Sequence, residues 1–205
     1  REEFLAKTGL PDKPMIALLA GSRNGEISSM MPTFMTFADK LHALPEYSDY
    51  RFVVAAAPAR SESDYAKYIG GREYVSVVFG QSYAVMRHAR AAVVNSGTAS
   101  LECVLIGTPQ VVAYKGAEIN FLIAKMIIKI QYISLGNLIL DRICFRELLQ
   151  YYFTPDNVLY EVRRMIEDEE YRSAMLAGYQ EIRDALGGEG ASAAVARAMI
   201  EELRK

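Results

Sequence analysis

Apolar and polar positions alternate in blocks along the first 114 residues. Five short runs are rich in Val, Ile, Leu and Ala with almost no polar interruption: 15–21 (MIALLAG), 51–57 (RFVVAAA), 75–80 (VSVVFG), 91–95 (AAVVN) and 110–114 (QVVAY). Between them lie stretches of helical periodicity, 26–44, 61–71, 82–89 and 98–107. Strands that are apolar on both faces and alternate with helix-length segments predict a parallel sheet built from βαβ crossovers. Gly107 and Pro109 mark the end of one helix and the approach to the next strand. After Tyr114 the pattern changes. No further strand is predicted; 118–130 reads as a helix, 134–138 as a loop and 145–153 as another helix. Thr154-Pro155-Asp156 is a helix start signal, followed by periodicity as far as Leu186. Residues 187–192 (GGEGAS) break that pattern before a last helix over 193–205. The expected organisation is a short helix and linker over 1–14, an α/β domain over 15–153, and C-terminal helices over 154–205.

Composition narrows the picture. The chain is 51% hydrophobic with a net charge of −2, ample for a core and lacking the basic excess of a general nucleic-acid surface, so no nucleic-acid partner is expected. Cys103 and Cys144 lie far apart in apolar surroundings, and His42 and His88 are isolated. That spacing suits no metal site and fits a reduced cytosolic compartment. No uncharged run reaches membrane-spanning length. The opening residues lack an initiator Met, and the expectation is a piece of a longer protein.

In an open parallel sheet, ligands bind beyond the carboxyl ends of the strands, near the point where strand order reverses. Two strand-to-helix junctions carry suitable residues. In 18–26 (LLAGSRNGE), Gly21 permits close backbone approach, Ser22 brings a hydroxyl and Arg23 a bidentate fork for phosphate, with Glu26 placed beside them as a binding residue. In 95–102 (NSGTASLE), Ser96, Gly97 and Thr98 open a helix whose free N–H groups favour an anion. Glu102 follows one turn later among apolar neighbours, and a carboxylate there suits a vicinal diol such as a ribose. Each feature has a plainer reading. Gly-Ser after a strand is commonly a turn and cap, and Glu102 could pair with a core arginine or lie on a solvated stripe. Neither junction is a phosphate-loop motif or a dinucleotide fingerprint, and the chain has no Asp-x-Asp pair for a divalent metal.

At these residues the sequence resembles the lipid-A-disaccharide synthase family, in its C-terminal, nucleotide-binding half. The resemblance rests on three co-linear motifs: LLAGSRNGE (18–26), NSGTASLEC (95–103) and QYISLGNLIL (131–140). Departures are Ala20 and Gly136, each where the family usually has proline, and LDRICFREL (140–148), where a Gly-Arg-Glu turn is more usual. The resemblance implies a Rossmann-like parallel sheet with helices on both faces, half of a GT-B fold. It also implies an inverting glycosyltransferase that joins UDP-2,3-diacylglucosamine to lipid X, forming the lipid A disaccharide precursor and UDP without a cofactor or metal. Carried over, Gly21, Ser22 and Arg23 would meet the diphosphate or donor sugar, Ser96, Gly97 and Thr98 phosphate oxygens, and Glu102 the ribose. Arg23 and Asn137 would act in catalysis, with Asn137 reaching the donor across the cleft. Position after the third strand suggests Phe79, Gly80 and Gln81 as a frame for the uracil. The general base would lie in the N-terminal half, which this chain lacks.

Residues 115–133 combine Lys115, Lys125 and Lys129 with a dense apolar set. Such a basic amphipathic helix can lie on a membrane surface or pack on protein. Acylated substrates favour peripheral contact with the cytoplasmic face of the inner membrane. The last helix could pack elsewhere or exchange between the protomers of a homodimer. Two other functions fit a phosphate-and-ribose clamp: a UDP-sugar 2-epimerase or other GT-B relative, and a non-enzymatic nucleotide-sensing domain.

Overall fold

The structure, a computed structural model, describes residues 1–116 and 131–187. The amphipathic segment at 118–130 and the final helix at 193–205 therefore lie outside the described residues. The strands are β1 (Met15–Leu19), β2 (Arg51–Ala56), β3 (Val75–Phe79), β4 (Ala91–Asn95), β5 (Gln110–Tyr114) and β6 (Glu147–Leu149). The helices are α1 (Glu2–Thr8), α2 (Asn24–His42), α3 (Glu62–Ile69), α4 (Ser82–His88), α5 (Thr98–Ile106), α6 (Leu135–Leu140), α7 (Pro155–Glu167) and α8 (Glu169–Leu186). The strands form one sheet in the order β3-β2-β1-β4-β5-β6, and every neighbouring pair is parallel. This is the doubly wound order whose direction reverses between β1 and β4.

The two-sided burial of the strands is the physical reason for the five apolar runs. Ile16 and Leu18 of β1 join the core on one face, with Met30, Phe34 and Phe37 of α2, Tyr65 of α3 and Val158, Val162 and Tyr179 of α7 and α8. Met15, Ala17 and Leu19 join the other, with Phe4 of α1 and Val85 and Met86 of α4. Helix α5 stands at the boundary, with Val104 in the first core and Cys103 in the second.

Local signals set the helix ends. Thr154 Oγ1 accepts from the Asn157 N–H at 3.2 Å, with Pro155 in the first turn, and Asp168 accepts from the Tyr171 N–H at 2.9 Å. The second of these caps splits the long C-terminal periodicity into α7 and α8. Gly107, at φ 90°, ends α5 in the left-handed region.

Two expectations after Tyr114 are overturned. Residues 147–149, expected within a helix, form β6, whose register pairs Val112 with Glu147 and Tyr114 with Leu149. Residues 135–140, expected largely as a loop, form α6. The open edge of β5 supplies a ladder that the local sequence of 145–153 does not advertise. α6 packs against α5 and α8. Its Gly136 lies against Phe145, where a β carbon would come within 2.9 Å of the ring, so an unbranched backbone fits the space that this chain leaves there.

Gly178, in the middle of α8, faces Cys144, and a β carbon there would collide with its Sγ. Alanine ordinarily gains about 1 kcal/mol over glycine inside a helix. Here the overlap reverses the sign, and Gly178→Ala should lower stability by about 1–3 kcal/mol in a denaturant melt. The Cys144→Ala/Gly178→Ala double variant should recover part of that loss. A single variant as stable as the parent would refute the packing of α8 on the 141–145 segment.

Candidate functional site

The two junctions singled out in the sequence follow β1 and β4, which are adjacent strands at the reversal point of the sheet. In doubly wound sheets this reversal point is where the crossovers part and where ligands bind, in a crevice beyond the strand ends. The turns also touch. Gly21 has φ 92°, and a β carbon on it would overlap the Glu26 carboxylate and come within 2.7 Å of Asn95 Nδ2, at the end of β4. Glycine is required there by conformation and by contact together.

Glu26 is the local organiser of the first turn. Its Oε2 accepts the Ser22 and Arg23 N–H groups at 2.8 and 3.0 Å, while Oε1 meets Arg23 Nη1 at 2.8 Å. Burial raises its pKa, but the Arg23 and Ser22 amides and the Arg23 guanidinium outweigh that, and the net shift is downward. A depressed folded-state pKa means that this contact stabilises above the usual glutamate range and is lost as pH falls. The amides of Ser22 and Arg23 are thus occupied from within. What this turn presents outward is the Ser22 hydroxyl and an Arg23 side chain that is 83% exposed. Glu26 organises the turn from beneath, a different part from the ligand contact expected of it.

The second turn is organised differently. The Ser96 N–H extends the sheet by donating to the Ala113 carbonyl at 2.8 Å, so its amide is committed while its hydroxyl remains. Gly97 and Thr98 are exposed, and the first amides of α5 have no acceptor inside the helix. That helix is held firmly. Gln110 Nε2 donates to the Ser100 carbonyl at 2.7 Å, and Arg183 Nη2 donates to the Val104 carbonyl at 2.8 Å.

Glu102 does not occupy the enclosed position that its neighbours suggest. Thr98, Glu102 and Leu105 form one accessible stripe at helical spacing, with Leu105 53% exposed and Glu102 half-buried. No Lys, Arg or His nitrogen lies within 4.0 Å of its carboxylate among the described residues, so the core-arginine alternative is set aside. Its one hydrogen bond there comes from the Tyr83 hydroxyl, at 3.3 Å.

The structure does not bring every candidate to this crevice. β3 is separated from β4 by two strands, and Phe79 lies edge-on to Tyr65 of α3, on the sheet face opposite α4. Gly80 and Gln81 lead into α4, the helix that packs against α5. Tyr83, the second residue of α4, reaches Glu102. Asn137 is displaced further from its expected role. It is fully buried, donates to the Phe145 carbonyl and to Glu147 Oε1, both at 2.9 Å, and accepts from the Cys144 N–H at 2.8 Å. Glu147 also receives the Ile133 and Ser134 N–H groups. Asn137 is therefore a polar rivet joining α6 to β6, with no valence turned toward a ligand. Sequence reasoning also missed Arg60, on the turn after β2. Its Nε donates to the Ser22 carbonyl at 2.7 Å and its Nη1 to Asn24 Oδ1. Nothing in its local sequence distinguishes it from a surface arginine.

Truncating Asn137 would strand several buried polar groups, each worth about 1–3 kcal/mol. Asn137→Ala should therefore lower the unfolding midpoint markedly in a denaturant melt. A variant that melts like the parent yet loses ligand affinity would return Asn137 to the binding surface.

Comparison with known proteins agrees with this architecture. A family model described as lipid-A-disaccharide synthetase matches residues 2–199. Lipid-A-disaccharide synthase of Anaeromyxobacter dehalogenans is 32% identical over 206 residues, covering 99% of this chain and 53% of that protein. That of Myxococcus xanthus is 36% identical over 202 residues, covering 98% and 52%. The chain thus spans about half the length of these relatives. Among solved structures, the UDP-GlcNAc 2-epimerase of Neisseria meningitidis bound to UDP-GlcNAc superposes with a TM-score of 0.64 at 14% identity, covering 98% of this chain and 48% of that one. Spinosyn forosaminyltransferase gives 0.61 at 14%, covering 99% and 46%. At such identity these two establish the shared fold. Built on that fold and matched by the family model along nearly its whole length, the chain belongs to the lipid-A-disaccharide synthetase family.

Proposed function

We propose that this chain is the donor-nucleotide half of an inverting glycosyltransferase that transfers a diacylglucosaminyl group from UDP-2,3-diacylglucosamine to lipid X and releases UDP. The observation that carries this reading is the juxtaposition at the reversal point of the sheet. Two turns on adjacent strands meet there, one bearing an exposed arginine and the other opening a firmly held helix with, one turn along, a carboxylate that meets no cation among the described residues. Family membership supplies the reaction class.

In this reading the diphosphate lies across the α5 N-terminus and Arg23, and Glu102 accepts both ribose hydroxyls. Departure of UDP builds negative charge on the β-phosphate. Amides fixed at a helix N-terminus and a guanidinium held by Glu26 are oriented before that charge appears, so they stabilise it with little reorganisation. Ser96 and Thr98 add hydroxyl donors. The base that takes the proton from the 6-hydroxyl of the acceptor belongs to the N-terminal half of the full-length protein. Among the described residues no helix is long and apolar enough to cross a membrane. The acyl chains of both substrates would bring the full-length protein to the inner-membrane surface, with residues 115–133 the segment suited to that contact.

Glu102 is half-exposed and makes a single side-chain hydrogen bond among the described residues, so its replacement should leave folding intact. Calorimetric titration should find UDP binding weakened about tenfold, or about 1.4 kcal/mol, in Glu102→Ala. Binding of a 2′,3′-dideoxyribose analogue of UDP should be little changed by the same substitution. Equal losses for both nucleotides would overturn the ribose assignment. The 205-residue chain should bind UDP yet form no disaccharide, whereas the full-length protein should form it; product from this chain alone would refute the division of labour. Exchange of solvent deuterium into a UDP-sugar would instead favour an epimerase.

A further inference from the structure

Three turns, not two, meet at this crevice. The third follows β2, which neighbours β1 on the side away from β4. Its backbone is fixed on both sides of Arg60. The Arg60 N–H closes a tight turn onto the Ala57 carbonyl at 3.0 Å, and the next residue, Ser61, caps α3 with its N–H 3.0 Å from Asp64 Oδ2. From that base the guanidinium reaches across to the Ser22 carbonyl and the Asn24 side chain.

The Ser22 carbonyl and the Arg23 N–H belong to one peptide unit, which is planar and trans, so they point in opposite directions. Arg60 grips the carbonyl and Glu26 grips the N–H. The peptide plane is clamped from both sides and cannot flip without breaking a charge-assisted bond. That plane sets the direction in which Arg23 leaves the backbone.

The charges of the two arginines differ in their fate. Arg23 is paired with the Glu26 carboxylate at 2.8 Å. Arg60 donates to two neutral oxygens, which orient a guanidinium without cancelling its charge. Among the described residues no carboxylate lies within 4.0 Å of it; Asp64, bound to the Ser61 amide, is near enough to feel its charge but forms no ion pair with it. Half-buried, Arg60 places a net positive charge at the mouth of the first turn.

We propose that Arg60 is a positioning residue for the diphosphate, latching the 22–24 turn so that Arg23 faces the phosphates and contributing to their field a positive charge that no ion pair among the described residues holds. This deepens the nucleotide reading above and rests on it. In the full-length protein, Arg60→Gln should weaken UDP binding about tenfold while leaving uridine binding unchanged, since uridine lacks the phosphates. Arg60→Lys keeps the charge but not the fork, and should recover part of the UDP affinity. In both variants the amides of residues 22–26 should exchange hydrogen faster without any nucleotide present. A purely structural arginine would weaken UDP and uridine alike, and that result overturns the proposal, as does unchanged UDP affinity in Arg60→Gln. Unchanged exchange at residues 22–26 overturns the latch even if UDP binding falls. If the parent protein binds no UDP, the diphosphate reading itself is overturned and this inference with it, whatever the exchange rates.

Discussion

The contact on which the site depends is the approach of Gly21 to the end of β4, where the space for a β carbon is already taken by Glu26 and Asn95. A parallel sheet wound in both directions must part its crossovers somewhere, and here the parting falls between β1 and β4. The turn after β1 leads to α2 in one core and the turn after β4 to α5, which packs into both, so only their first residues stay close together. A residue with a side chain at position 21 would push the turns apart. The left-handed backbone at Gly21 then lets the chain bend back so that Glu26 can fasten it.

The polar groups around the crevice divide into those that build it and those left over. Glu26, the Gln110 amide nitrogen and the Ser96 amide are consumed in holding the turns and α5. The outward part of the Arg23 guanidinium, the Ser22, Ser96 and Thr98 hydroxyls, the first amides of α5 and most of the Glu102 carboxylate's accepting capacity remain among the described residues. A rigid frame with a few unspent groups is what recognition of a charged ligand requires, because the ordering cost is met at folding and not at binding. The same distinction explains Asn137. Its motif neighbours suggest a ligand contact, but every hydrogen-bonding group it has is used to join α6 to β6.

The parallel core was legible because its strands are buried on both faces, which imposes unbroken apolar runs that few other structures need. The paired turns were legible for a related reason: glycine followed by small hydroxyl residues at the end of such a run marks a place where the backbone must bend and leave donors free. The strand β6 was not legible. It is three residues long and exists because β5 offers an open edge, a fact of the assembled sheet and not of residues 147–149.

The chain's own order of residues was enough to specify the doubly wound core, the two turns that flank its reversal point, the family motifs and the residues 21–23 and 96–102 as candidates. Those features are local, set by backbone sterics and by burial that repeats with the period of each element. Tertiary structure alone decided which polar groups are spent. Whether Glu26 faces a ligand or its own turn, whether Glu102 meets an arginine or a tyrosine hydroxyl, and whether Arg60 is surface or latch all turn on partners distant in sequence or on how the chain folds back. Hydrogen bonds reach only about 3 Å, so these assignments arise once strands and helices have brought such groups together.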